Sequence, residues 1–181
     1  MELTEKTLSS KTLFDGKILK LTLDEVMLPD GTKSQREVVY HPGGVAVAAL
    51  DDDDNLLFVK QFRYPHKEIV LELPAGKLEK GSTPLENGKR ELFEETGAKG
   101  YSFISLGQVY ASPGYTSEIT HLYACRVFTI EKNQLDEGEF LTIEKIPLSK
   151  AVEMVLNNQI PEAKTQIAIL KTDMLLRAGK I

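Results

Sequence analysis

The sequence predicts an α+β fold, and three observations carry that reading. Short apolar runs with strand-like alternation recur on both sides of residues 84–96. Residues 84–96 themselves carry helix start and stop signals, and helical periodicity returns only at residues 149–158 and 162–178. The 181 residues, 41% of them hydrophobic, suit a main domain with a full-sized core. The boundaries read as an N-terminal β-unit over 1–43 and a main domain over 44–181.

The elements follow in order. Residues 11–28 show two strand patterns around Asp15-Gly16, with Ile18, Leu19, Leu21, Leu23, Val26 and Leu28 as apolar content. Pro29-Asp30-Gly31 makes a turn, and residues 34–41, with Arg36 and Glu37, form the next strand. So little apolar content calls for a partner surface, such as a second subunit. Residues 44–50, GVAVAAL, are a small-residue strand; 51–55 are an acidic turn, read as a solvated hairpin rather than a metal site. Residues 56–64 form a strong strand ending near Arg63, which taken alone reads equally as a surface ion pair or a site residue. Residues 69–73 then lead through Pro74 and Ala75 into a loop and helix.

That helix is bounded by Thr83 as N-cap, Pro84 at the first position, Glu86 completing a capping box, and Gly97 as left-handed terminator. Glu91, Glu94 and Glu95 stand at i, i+3 and i+4, so three carboxylates share one turn. Their mutual repulsion costs about 0.2–0.5 kcal/mol per pair, and the C-terminal half of a helix disfavours anions. Arg90 can serve one of them, and a divalent cation is the natural counter-ion for the rest. Leu85, Gly88 and Leu92 are expected to form a buried stripe opposite the carboxylates, with Gly88 tolerated for close packing on a sheet. Strand patterns follow at 101–110 and 119–131, separated by a loop over 111–118 that is a candidate substrate wall. After an acidic loop at 135–140 and a strand at 141–146 come the two helices. Ser149 is expected to cap the first, and Val152, Val155, Ile167, Ile169, Leu170 and Leu175 supply structural contacts.

Composition narrows the function. A net charge of −5 argues against a general nucleic-acid binder. The single cysteine, Cys125, lies in an apolar run and excludes an internal disulfide. The start of the chain has no apolar signal region, and no run of about 18 apolar residues occurs, so a cytoplasmic, soluble protein without a membrane partner is expected.

The stretch from Gly76 resembles the Nudix hydrolases, whose pattern is G-x5-E-x7-R-E-U-x-E-E-x-G-U with U bulky and apolar. It matches at Gly76, Arg90, Glu91, Leu92, Glu94, Glu95 and Gly97; Ser82 replaces the first Glu, and Ala98 is smaller than usual. In that family the first Glu mostly holds the metal-binding helix in place, so Ser82 bears on tuning more than on ligation. Pro113 stands sixteen residues past Gly97, as in the subfamily that hydrolyses ADP-ribose. The loop Ser112 to Glu118 and the elements His41 to Gly43, Gln61 to Arg63 and Glu72 to Gly76 are similar to that subfamily too.

The resemblance implies a mixed β-sheet sandwiched between helices, and a homodimer that exchanges its N-terminal antiparallel β-units. It also implies Mg²⁺-dependent hydrolysis of ADP-ribose to AMP and ribose 5-phosphate. Two or three Mg²⁺ (or Mn²⁺) ions per site would be held by Ala75, Glu91, Glu95 and Glu139, with Arg90 and Glu94 in the catalytic set. Glu137 would be the base on a mobile loop hinged at Gly138. Substrate contacts would come from Lys17, Arg36, Glu37, His41, Arg63, Lys77, Ser112, Gly114 and Glu118. Two alternatives stay open. One is hydrolysis of another nucleoside diphosphate sugar, such as an ADP-hexose or GDP-mannose. The other is a non-catalytic ADP-ribose sensor, which Ser82 would permit.

Overall fold

A computed structural model describes residues 2–181. They gather into two compact units, residues up to 43 together with 110–119, and residues 44–109 together with 120–181.

The first unit is an antiparallel sheet of β1 (Lys6–Asp15), β2 (Lys20–Met27) and β3 (Lys33–Tyr40), in that order. β1 starts earlier than the apolar pattern indicates, because backbone pairing with β2 continues out to Lys6 opposite Met27. Its side chains are all exposed. β2 buries Thr22, Asp24 and Val26 while Leu21 and Leu23 stay half-exposed, so the polar face is the one turned inward. Asp24 is satisfied there by the Ser10 hydroxyl at 2.5 Å. The 110–119 segment belongs to this unit: the Val39 amide donates to the Tyr115 carbonyl at 2.7 Å, and the Ser117 amide to the Val39 carbonyl at 2.9 Å.

The second unit is built on a seven-stranded mixed sheet. β4 (Gly44–Leu50) runs at its centre, parallel to β9 (Ile119–Ile130) and antiparallel to β5 (Asn55–Arg63). β8 (Ala98–Tyr110) lies beyond β9, and β10 (Leu141–Pro147) beyond β5. Two short strands, β6 (Glu68–Glu72) on β5 and β7 (Ala75–Lys77) on β4, complete it. Every residue of β4 is buried, and its alternation splits the core. Ala46, Ala48 and Leu50 pack with α2 (Leu148–Leu156) and α3 (Ala163–Arg177) on one face. Val47 and Ala49 face α1 (Pro84–Thr96) on the other, with Leu57, Leu92, Cys125 and Val127. The mixed sheet therefore lies between helices, and Cys125 is a buried core residue.

Local chemistry sets α1. The Thr83 hydroxyl accepts from the Glu86 amide, and the Glu86 carboxylate accepts from the Thr83 amide, closing the capping box. The helix lies so near the sheet at Gly88 that a Cβ there would meet Val45 and Val47 at 3.1 and 3.2 Å. The buried face differs from the expected stripe. Asn87, Gly88, Leu92, Glu95 and Thr96 are buried while Leu85 is half-exposed, so Glu95 shares the buried face instead of opposing it. Residues 88, 92 and 95 are spaced i, i+4, i+7, which brings Glu95 onto the same stripe. Asn87 is buried because its amide works: it accepts from the Glu79 amide and donates to the Thr83 carbonyl. Ser149 is not a cap either. It lies inside α2, whose N-cap is Pro147 without a side-chain bond.

Gly97 ends α1 at φ 73°, and a Cβ there would stand 2.0 Å from the Glu131 carbonyl oxygen. Gly97→Ala is therefore expected to cost about 2–4 kcal/mol, from left-handed strain plus overpacking. Gly114→Ala, in open space, should stay within about 0.5 kcal/mol. Urea unfolding of the two variants checks the contrast.

Candidate active site

β7 and α1 bring the carboxylates together. A Cβ on Gly76 would lie 1.9 Å from the Glu91 carboxyl carbon, so the Glu91 carboxylate occupies the space that any side chain at 76 would fill. One turn further along, Glu95 Oε2 accepts from the Ala75 amide at 2.9 Å. Arg90 gathers the rest: Nη2 donates to Glu91 at 2.7 Å, Nη1 to Glu94 at 2.5 Å, and Glu79 lies 3.5 Å away. Glu79 was not foreseen as a site residue. It supplies the acidic contact from the loop to Arg90, while Ser82 stays exposed.

The electrostatics of these groups differ by neighbour. Glu95 is 3% exposed, and burial lifts its carboxyl to about 8 against the Ala75 hydrogen bond, with the charges of Glu91 and Glu139 adding to the rise. Burial raises Glu91 as well; Arg90 opposes the shift, and Glu94 and Glu139 add to it. The charge of Glu139, on the acidic loop, thus reaches both carboxylates. Glu137 is exposed, and Gly138 between them has φ 84°. The root of this loop is tied to the end of α1. The Gln134 amide donates to the Glu94 carbonyl at 2.8 Å, Asn133 Nδ2 to the Glu95 carbonyl at 3.3 Å, and the Glu131 amide to the Gly97 carbonyl at 2.8 Å. These donors satisfy carbonyls that a helix C-terminus leaves open.

Arg63 is a fixed group. Its Nε and Nη2 grip Glu72 at 2.6 and 2.7 Å, and Lys164 Nζ meets the same carboxylate at 2.9 Å. Burial would raise Glu72, but the Arg63 hydrogen bonds and the Lys164 charge outweigh it and hold the carboxyl below the ordinary range. Glu72 and Lys164 had no assigned role in the sequence reading. The E-L-P-A-G run contained the first, whereas nothing local marks the second.

The other sequence-predicted residues lie on β7 and in the first unit. Lys77 is exposed on β7. In the first unit, His41 Nδ1 accepts from the Gly43 amide and lies 3.6 Å from Glu118, and the His41 amide donates to the Ser117 hydroxyl. Ser112 is half-buried and Gly114 exposed in the same segment. Arg36 pairs with Glu5 at 2.6 Å, and Lys17 and Glu37 are exposed.

The donor set suits a hard divalent cation: oxygens only, carboxylates in excess of arginine, and a cradle at Gly76 that admits Glu91 alone. Among the described residues no three acidic, cysteine or histidine side chains yet converge on one ion-sized point. Glu91 and Glu94 are drawn to Arg90, and Glu95 to the Ala75 amide.

Comparisons with known proteins identify the family. Residues 40–167 match the NUDIX domain, and residues 5–39 match the nucleoside diphosphate sugar hydrolase N-terminal domain. The chain is 41% identical over 169 residues to the ADP-ribose pyrophosphatase of Bacillus subtilis (strain 168), covering 92% of this chain and 91% of that protein. It is 40% identical over 167 residues to the methanol dehydrogenase activator of Bacillus methanolicus, covering 91% and 90%. A crystal structure of an ADP compounds hydrolase superposes with a TM-score of 0.84 over the whole of both chains at 19% identity, a likeness of fold. No helix of the described residues is long and apolar enough to cross a membrane. The carboxylate helix, its loop and the matched domain together make this chain a member of the Nudix family, whose enzymes generally need a divalent metal.

Proposed function

We propose that the protein hydrolyses the diphosphate of ADP-ribose to AMP and ribose 5-phosphate, in the cytoplasm, with two or three Mg²⁺ or Mn²⁺ ions per site. The observation that carries the chemistry is the pair of half-buried Glu91 and buried Glu95, seated on Gly76 and the Ala75 amide, with Arg90 bonded to Glu91 but not to Glu95. The likeness to the Bacillus subtilis ADP-ribose pyrophosphatase supports the substrate.

In this reading the Ala75 carbonyl, Glu91, Glu95 and Glu139 would hold the metal. When bound, the metal supplies positive charge against the charge developing on the diphosphate and acidifies the attacking water. Arg90 restrains Glu91 and Glu94, which keeps both carboxylates on one side of the helix. Glu137 takes the proton of the attacking water, and the left-handed Gly138 lets the loop fold inward. Arg63 offers a phosphate the N–H groups that Glu72 leaves unused. Lys17, Arg36, Glu37, His41, Lys77, Ser112, Gly114 and Glu118 are the remaining substrate contacts, with Ser112, Gly114 and Glu118 assigned to the terminal ribose.

The test is a hydrolysis screen with Mg²⁺, setting ADP-ribose against ADP-glucose, GDP-mannose, NADH and a nucleoside triphosphate. AMP and ribose 5-phosphate as dominant products are expected. Preference for another sugar would move the substrate, and binding of ADP-ribose without turnover of any compound would make the protein a sensor. The likeness to the methanol dehydrogenase activator favours a second reading, that the chain also stimulates a dehydrogenase. A changed rate on adding the chain to an alcohol dehydrogenase checks it.

Glu95→Gln keeps the shape of the carboxylate but loses its charge, and should lower turnover by at least ~10³-fold at saturating Mg²⁺. Because the carboxyl of Glu95 is raised to about 8 when folded, the folded state holds a proton that the unfolded chain releases near its ordinary value. Stability without metal should therefore fall as pH rises from about 4.5 through about 8. Glu95→Gln should flatten that decline in a denaturation series. Glu137→Gln should reduce kcat by ~10²–10⁴-fold and leave substrate affinity intact; equal loss of affinity would make Glu137 a recognition residue. The fully exposed β1, carrying Leu8, Leu13 and Phe14, underlies the proposal of a homodimer through exchanged N-terminal β-units. Sedimentation should give twice the chain mass, reduced toward one by Leu13→Asp with Phe14→Asp.

A further inference from the structure

The start of α3 reaches the strand that feeds the carboxylate site. Lys164 Nζ donates to Glu72 Oε2 at 2.9 Å and pairs with Glu162 at 3.0 Å. The next residue, Thr165, is fully buried and accepts from the Leu73 amide at 3.0 Å. Glu162 is the N-cap of the helix, its carboxylate taking the Thr165 amide at 2.8 Å. One helical turn is thereby fixed to Glu72-Leu73, immediately before Pro74-Ala75.

Glu72 is 1% exposed. Its Oε1 is taken by Arg63 Nε, and its Oε2 is shared by Arg63 Nη2 and Lys164 Nζ. Arg63 and Lys164 balance Glu72 and Glu162, so the cluster is neutral as a whole. Arg63 is held by one edge, and its Nη1 donates to no protein acceptor among the described residues. Arg63 lines a cleft of about 350 Å³ together with Pro65, His66 and Pro161.

We infer that Lys164 is a positioning residue for Arg63, acting through Glu72; this rests on reading Arg63 as a diphosphate contact. With Lys164 in place, both oxygens of Glu72 are engaged and the guanidinium keeps its outer edge for an anion. Without Lys164, Arg63 alone is left to balance Glu72 and Glu162, and it already feels the charges of Glu72, Glu95 and Glu162. The guanidinium is then drawn inward and its outer N–H groups go to the protein. Because the ammonium touches neither the carboxylates of α1 nor the acidic loop, the loss falls on substrate affinity rather than on bond cleavage.

The experiment is a double-mutant cycle on ADP-ribose hydrolysis with Lys164→Gln and Arg63→Ala. Lys164→Gln should raise KM about tenfold with kcat within about twofold, and Lys164→Arg, which restores the charge, should recover most of the loss. In the Arg63→Ala background, Lys164→Gln should add less than about twofold. If the two effects on KM multiply, the inference falls while the substrate reading stands. Equal loss of kcat and KM, with a lowered melting temperature and no recovery in Lys164→Arg, would reduce Lys164 to a structural role. An unchanged KM in Arg63→Ala would overturn both the reading of Arg63 and the inference.

Discussion

The docking of α1 onto β7 is the constraint from which the site follows. Two carboxylates meet backbone there, Glu91 in the space beside Gly76 and Glu95 on the Ala75 amide. β7 pairs with β4 from Ala75 opposite Ala46 to Lys77 opposite Gly44, and β4 is buried along its whole length. The position of the acids is thus set by the core, through one central strand. A hydrogen bond to a charged group contributes about 1.5–3 kcal/mol, which is too little to offset the burial of Glu95, and its carboxyl rises to about 8. The fold accepts that cost most heavily at Glu95 and to a lesser degree at Glu91.

Two buried glutamates show the difference between support and chemistry. Glu72 and Glu95 are almost equally shielded from water. Glu72 has two cations within hydrogen-bonding reach and stays ionised below the ordinary range. Glu95 has a single amide, two like charges and only the more distant charge of Arg63 against them, so its charge is poorly compensated by the protein. An anion whose compensation is incomplete is poised to receive it from a ligand, which is why strongly perturbed carboxyls mark functional sites more often than satisfied ones.

Local signals made α1 legible from the sequence. Its bounds, capping box and left-handed terminator depend on residues 83–97 alone, and each is present as read. β4 was legible for a similar reason, since seven small apolar residues between glycine and aspartate leave few options. What the sequence hid was tertiary. The inward face of β2 carries Thr22 and Asp24, and only pairing with the Ser10 strand explains a buried aspartate there. Glu95 joined the buried face because the Ala75 amide awaited it, information that lies twenty residues away in the chain. Lys164 escaped notice because its partner, Glu72, is ninety-two residues distant and no periodicity connects them.

The acidic loop is anchored at both ends, at Gln134 on the Glu94 carbonyl and at Leu141 opposite Gln61 in β10 and β5. Only the residues from 135 to 140 lie between those anchors. A tethered group samples its target with a local concentration that falls as a weak power of tether length, about the three-halves power. If Glu137 acts from this loop, added residues would dilute it gradually, while deletions would shorten the span between two fixed posts. On the proposed role of Glu137, length at this one place would be a dial on turnover that leaves the sheet, the helix and the carboxylate cradle untouched, one that lineages or engineers could turn without redesigning the site.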